Sequence, residues 1–192
     1  MMSEKHPLEP FLPGNAVILM LGSFPPKKEK WSMDFFYPNF MNDMWRIIGT
    51  VFFGDRDHFI VPGMKRFDKD RIAAFCRESG IALYDTATEV IRRKDNASDK
   101  YLEIVSPTDI GALLEVLPEC RTIVTTGEKA TDTICSMFGC EKPKTGSSAG
   151  FNTATGISMT FYRMPSSSRA YPLPLDKKAE IYRRMFEETG LV

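Results

Sequence analysis

The sequence predicts an α/β protein: a three-layer α/β/α arrangement around a central, mainly parallel four-stranded sheet. Two observations carry this expectation. Short apolar runs alternate with helical patterns along most of the chain, and the runs are continuous, as strands buried on both faces require. With 192 residues and 43% hydrophobic content, the chain is long enough for one sizeable core and short of what two domains normally need. Residues 1–192 are therefore expected to form a single domain.

The first strand is Ala16 to Leu21, an apolar run that stops at Gly22. Ile81 to Tyr84, Thr122 to Thr125 and Met159 to Met164 supply three more. Between them, Met41, Met44, Trp45, Ile48 and Phe52 fall on one helical face at spacings of three and four. Ile72, Phe75 and Cys76 repeat the pattern, with Asp68 as a start signal and Gly80 as a stop. Ser106-Pro107-Thr108-Asp109 reads as a capping box opening a helix with Ile110, Leu113, Leu114 and Leu117 on its core face. Gly127 precedes a helix using Ala130, Thr133, Ile134 and Met137, ended by Gly139, and a last helix runs from about Asp176 to Glu188. Lys142 to Gly156, rich in Gly, Ser and Thr and without periodicity, reads as a surface loop or hairpin.

Twenty-five basic residues balance twenty-five acidic ones, so any nucleic-acid contact has to come from local charge. The cysteines, Cys76, Cys120, Cys135 and Cys140, form no Cys-x-x-Cys pair, and His6 and His58 are the only histidines. Free thiols and no metal are expected, although Cys135 and Cys140 are close enough in sequence to share a site. No apolar run reaches 18 residues, and Met1 to Pro10 are charged and proline-bearing, so a soluble cytoplasmic protein is expected. The absence of a phosphate loop and a dinucleotide fingerprint weighs against a small-molecule nucleotide-binding protein.

Three segments carry the chemistry. The first strand ends in Gly22-Ser23-Phe24-Pro25-Pro26, and Tyr37-Pro38-Asn39-Phe40-Met41-Asn42-Asp43-Met44-Trp45 leads into the first helix. The last strand runs into Met164-Pro165-Ser166-Ser167-Ser168-Arg169-Ala170-Tyr171-Pro172. In this order, together with Leu83-Tyr84-Asp85, they resemble the uracil-DNA glycosylase superfamily, especially its hypoxanthine-DNA glycosylase-like branch, over nearly the whole chain. The resemblance implies a monomeric, monofunctional DNA glycosylase, without cofactor or metal. Such an enzyme hydrolyses the N-glycosidic bond of a deaminated base, uracil or hypoxanthine, flipped out of DNA.

The resemblance also implies site residues. Tyr37 takes the place of the stacking aromatic, and stacking of ~1–3 kcal/mol offsets much of the cost of extruding a base. Gly22, Ser23, Phe24 and Asp85 complete the base-binding set. Phe24 stands where many relatives position the hydrolytic water with Asp or Asn, and its ring does no hydrogen-bonding work. The catalytic task passes to Asn42, whose amide orients water or donates to the departing base, an effect on the order of 3 kcal/mol; the same residue also suits a helix cap. Asn39 and Phe40-Met41 depart from the family's usual pocket wall.

As a carboxylate, Asp85 accepts from a ring N–H but repels an anionic leaving base, which implies a raised pKa or a base that leaves protonated; it also suits a cap on the next turn. Pro25, Lys27, Ser166, Ser167, Ser168, Arg169 and Tyr171 are the implied DNA contacts. Lys27, Lys28 and Lys30 beside Trp31, and Arg92-Arg93-Lys94, are candidate phosphate-binding clusters at the rim. A non-catalytic DNA-binding or damage-sensing module on the same fold is the alternative, which Phe24 permits.

Overall fold

The structure, a computed structural model, describes residues 2–93 and 99–192. In chain order the elements are β1 (Glu4–Lys5), β2 (Ile18–Gly22), α1 (Met44–Phe53), α2 (Lys69–Ser79), β3 (Ile81–Asp85), β4 (Ala87–Arg92) and β5 (Leu102–Pro107). These are followed by α3 (Ile110–Glu115), β6 (Thr122–Thr126), α4 (Glu128–Phe138), β7 (Ser147–Asn152), β8 (Ser158–Met164) and α5 (Leu175–Glu188). The principal sheet has the order β3-β2-β6-β8-β7, and a smaller one has the order β1-β4-β5.

The four strands expected from sequence are the four parallel ones. β2 pairs in parallel with both β3 and β6, and β6 pairs in parallel with β8. Every residue of β2, β3 and β6 is buried. Because successive side chains point to opposite faces, full burial means both faces of the sheet are covered. Helix α2 packs on β3, α4 on β6 and α5 on both α1 and β8.

The sheet has five strands and not four. β7 adds to β8 in antiparallel register, Ser147 opposite Arg163 and Asn152 opposite Ser158, so of the two sequence readings of residues 142–156 the hairpin holds. β7 escaped detection because Phe151 is its one buried residue, which leaves no apolar alternation to read. The β1-β4-β5 sheet was also not expected. β4 and β5 bury only Ala87, Val90 and Leu102 among mixed polar residues, and these pack with Phe24 in a cluster separate from the main core.

Helix signals were read with varying success. Asp68 accepts from the Arg71 amide at 3.1 Å, and Gly80, at φ 70°, closes α2 in the left-handed conformation, both as expected. The capping box at Ser106 is corrected. Ser106 and Pro107 end β5, and the cap of the six-residue α3 is Asp109, which accepts from Ala112. Met41 precedes α1 and is 56% exposed, and Met137 is exposed on α4, so neither belongs to the core face assigned to it.

No helix among the described residues is long and apolar enough to cross a membrane. Before β2, the chain forms a strap. The His6 amide donates to Thr88 O at 2.8 Å in the small sheet, and Phe11 exchanges two backbone bonds with Leu83 at the edge of the large one.

Gly80 also lies against the start of β2, where a Cβ would come 2.8 Å from Asn15 O. Left-handed strain and this close approach combine, so Gly80→Ala is expected to lose about 2 kcal/mol of stability, read as a lower urea midpoint with an unchanged slope.

Candidate functional site

Parallel alignment brings the carboxyl ends of β2, β3, β6 and β8 to one edge of the sheet, the position where α/β folds bind ligands. A cavity of about 520 Å³ opens there, within the ~300–1,000 Å³ usual for small-ligand sites. Gly22, Ser23, Phe24 and Pro25 line it from the turn after β2, and Asp85 from the end of β3. Tyr37, Asn39 and Asn42 line it from the segment before α1, and Ser166, Ser167, Ser168, Arg169 and Tyr171 from the loop after β8. Of the sequence-derived site residues, only Lys27 falls outside this lining; it is exposed at the head of the following turn.

Gly22 is required by its neighbour. The two residues face each other across the β2–β3 pairing, and a Cβ at 22 would lie 2.5 Å from Asp85 Oδ1. The other oxygen of Asp85, Oδ2, lies 2.8 Å from His6 Nε2. His6 is held in turn by Leu8, whose amide lies 3.1 Å and carbonyl 2.9 Å from Nδ1. Where Nδ1 accepts from the Leu8 amide, Nε2 carries the hydrogen and donates to Asp85; where Nδ1 donates to the Leu8 carbonyl, the neutral ring has only an acceptor at Nε2. His6 is 2% exposed at its side chain, with its ring 5.3 Å from Phe24 and 4.6 Å from Tyr84.

Tyr37 is the one described non-glycine residue at positive φ, 51°. Such a conformation in a bulky residue costs of order 1–3 kcal/mol and persists only where the surroundings enforce it. Here the hydroxyl shares a 2.9 Å hydrogen bond with Thr126 Oγ1 at the end of β6, while the ring meets Trp45 edge-on. Burial pushes the Tyr37 phenol well above its ordinary pKa.

Asn42 spends one half of its amide on structure. Its Oδ1 accepts from the Met44 amide at 2.9 Å, satisfying one of the orphan donors at the start of α1. Its NH₂ is then the half available for chemistry. The capping reading of this residue is met by that contact.

The serine loop is fixed from below by a buried charge cluster. Asp43, 7% exposed, accepts from Arg169 Nε at 3.0 Å and lies 3.5 Å from Arg46 NH1. Its backbone amide donates to Ser167 O. Lys178 of α5, 1% exposed, donates to Ser168 O at 2.7 Å, and burial lowers its pKa. Three cations thus surround one carboxylate, leaving local positive charge beneath the loop in a chain of zero net charge. Arg169 is committed to this cluster and to Met41, which places it at the rim with a structural duty.

The expected Arg92-Arg93-Lys94 cluster is corrected at Arg92. The Arg92 side chain, 4% exposed, is bonded through Nε and NH2 to Glu4 and through NH2 to Pro25 O, so it braces the turn after β2 instead of lining the rim. Arg93 pairs with Glu103, and Lys94 lies outside the described residues. Lys28 pairs with Asp34 and stands 3.9 Å over the Trp31 ring.

Sequence reasoning missed Asp99, which lines the cavity and accepts from Ser23 Oγ at 2.6 Å. Burial raises its pKa most; the Ser23 hydrogen bond opposes this, the Asp85 charge raises it further, and Lys129 and Arg92 act against the rise. His6, Asp43, Thr126 and Lys178 were missed too. Thr126 alone carried a readable signal, because it ends a buried parallel strand just before Gly127 opens a helix.

A solution NMR structure from Methanosarcina acetivorans, described as a "putative Uracil DNA glycosylase", matches with a TM-score of 0.61 and 22% identity, over 96% of this chain and 99% of that one. The fold is of the uracil-DNA glycosylase type. No family model matches the sequence, and no curated protein matches it. In this glycosylase-type fold the strand-end cavity is formed by elements from both ends of the chain, Leu8 to Pro172. Among the described residues no group of three His, Cys, Asp or Glu side chains is placed to hold a metal. The four cysteines are free thiols.

Removing one partner from a buried ion cluster strands the others, so Asp43→Ala is expected to cost about 3 kcal/mol and to loosen residues 166–170, seen as faster amide exchange there. Asp99 gives a pH-dependent test. A carboxyl with a raised folded pKa stabilises the native state at low pH and loses that contribution as pH climbs from the ordinary 3.8 through the folded value. Asp99→Asn should therefore gain melting temperature relative to the parent as pH rises across this window; a gap that stays constant with pH would contradict the burial argument.

Proposed function

We propose that this protein is a monofunctional, monomeric DNA glycosylase acting without cofactor or metal on a deaminated base, uracil or hypoxanthine, extruded from DNA. We further propose that residues 1–192 act as a single domain. One observation carries the reading: the turn after β2, the segment Tyr37 to Asn42, Asp85 and the serine loop, all noted in the sequence, line the same cavity.

The chemistry fits that cavity. Breaking the bond between base and sugar builds positive charge on the sugar and negative charge on the base. The Tyr37 ring offers a face for the base, Ser23 and the Asn42 NH₂ offer polar atoms, and the Asp85 carboxylate favours a cationic sugar. Ser166 to Ser168, over the Arg46, Arg169 and Lys178 cluster, meet the phosphates, with Pro25, Lys27 and Tyr171 on the flanks.

A second reading, a non-catalytic damage-sensing module, is favoured by Phe24, whose ring lines the cavity without a group to hold water. Turnover separates the two. Excess protein is incubated with oligonucleotides bearing uracil or hypoxanthine, single-stranded and in each mismatch, and abasic sites are cleaved with alkali. The glycosylase reading expects strand breaks and a loss of roughly 10²-fold or more in Asn42→Ala; salt-sensitive binding without breaks from any substrate would establish the sensor instead.

A further inference from the structure

We infer that Asp43 is a positioning residue that joins the two working parts of this site: it ties the segment bearing the Asn42 amide to the serine loop, so a phosphate seated on that loop holds Asn42 where it reacts. The inference rests on the glycosylase reading above.

Asp43 stands where a helix cap is expected and does not cap. It occupies the position before α1, yet its side chain makes no capping hydrogen bond, and Asn42 Oδ1 meets the Met44 amide in its stead. The carboxylate turns to a residue 126 positions away, accepting from Arg169 Nε at 3.0 Å. Asp43 is 7% exposed and stands behind the cavity lining, whereas Asn42 and Arg169 on either side of it are part of that lining. A buried carboxylate in this place acts through its neighbours.

The tie is doubled in the main chain. Asn42 and Ser168 form an antiparallel bridge, and the Asp43 amide donates to Ser167 O at 3.0 Å. From the other side, Arg46 NH1 donates to Phe40 O at 2.7 Å and to Asn42 O at 3.2 Å. Its guanidinium lies 4.5 Å from the Phe40 ring and 5.1 Å from that of Phe67. Because Asn42 Oδ1 is held by the Met44 amide, the direction of its NH₂ follows the main chain of residues 42–44. A shift of the serine loop therefore reaches that NH₂.

Charge identifies what sets the loop. Arg46 and Arg169 both face Asp43, and Lys178 Nζ donates to Ser168 O. An anion arriving over the loop supplies negative charge that one carboxylate leaves short. Arg169 holds Asp43 through Nε, and its side chain, 40% exposed, lines the cavity, where guanidinium N–H groups suit a phosphate. Carboxylate, guanidinium and phosphate then alternate in sign. Binding energy from a phosphate remote from the broken bond is thereby used to orient Asn42, which raises the rate of the chemical step and not affinity alone.

The test is single-turnover formation of abasic sites at saturating protein, from uracil and hypoxanthine duplexes, with parent, Asn42→Ala, Asp43→Asn and the double variant. Asp43→Asn is expected to slow the parent by ~10²-fold, with little change in the protein concentration that gives half the maximal rate. In the Asn42→Ala background it should slow nothing further, a non-additivity that shows the effect passing through Asn42; a merely structural role slows both backgrounds alike. Asp43→Glu should restore part of the rate. Neutral methylphosphonates, placed one at a time beside the lesion, should lower the saturated rate of the parent at one linkage and leave that of Asp43→Asn unchanged. The inference is overturned, with the glycosylase reading intact, if Asp43→Asn keeps the parent rate, if it slows Asn42→Ala by the same factor as the parent, or if the neutral linkages change only the half-saturating concentration. If the parent releases neither base, both fall together. Should Asp43→Asn fail to fold, Arg169→Gln, which cuts the same tie at an exposed residue, decides by the same comparison in the two backgrounds.

Discussion

The pairing of Gly22 with Asp85 across β2 and β3 is the constraint from which the site is built. It fixes how far the two strands extend relative to each other, and the missing Cβ lets a carboxylate oxygen occupy the space beside β2. Contacts spread outward from that carboxylate. Its Oδ2 takes His6, its main-chain oxygen accepts from Thr108 Oγ1 at 2.7 Å, and the next amide, Thr86 N, donates to Gly22 O. A side chain at 22 displaces Asp85 and, through it, the hydrogen bonds that tie the strap and the head of α3 to the sheet edge.

Charge is sorted by place and not by amount. The formal total is zero, yet acidic groups sit inside the cavity and cations sit under the serine loop. Neither arrangement favours stability. Burying Arg46 and Lys178 costs hydration that a single Asp43 repays only in part, and two carboxyls in one cavity repel each other. Tyr37 adds backbone strain to the same region. Costs concentrated around one cavity, in a molecule whose core is otherwise apolar and close-packed, mark the place where function competes with stability.

The parallel core was legible because burial on both faces forces apolar runs, and runs are visible. Helix ends at Asp68, Gly80, Gly127 and Gly139 were legible because left-handed or capping positions accept few residue types. Edge strands were not. β4 and β5 each hold a mixture that satisfies a loop equally well, and the assignment of Arg92 to the rim failed because nothing in its neighbours announces that Glu4 folds back to meet it. Within the site, motif residues contiguous with strand ends were found. His6, Asp99 and Lys178 were not, since each acts through a partner 79, 76 or 10 residues away, and no local periodicity encodes such a meeting.

The strap ahead of β2 has a consequence of its own. Its strand, β1, is two residues long, and a handful of backbone bonds holds it to the two sheets, yet it carries His6 and places Leu8 in the cavity wall. Segments with so few contacts open at far lower free energy than the strands they cover. Peeling of the first dozen residues, short of dissolving the sheet, would leave Asp85 bare. Such an opening would take His6 from Asp85 and Leu8 from the cavity wall while the helices and the principal sheet stay in place.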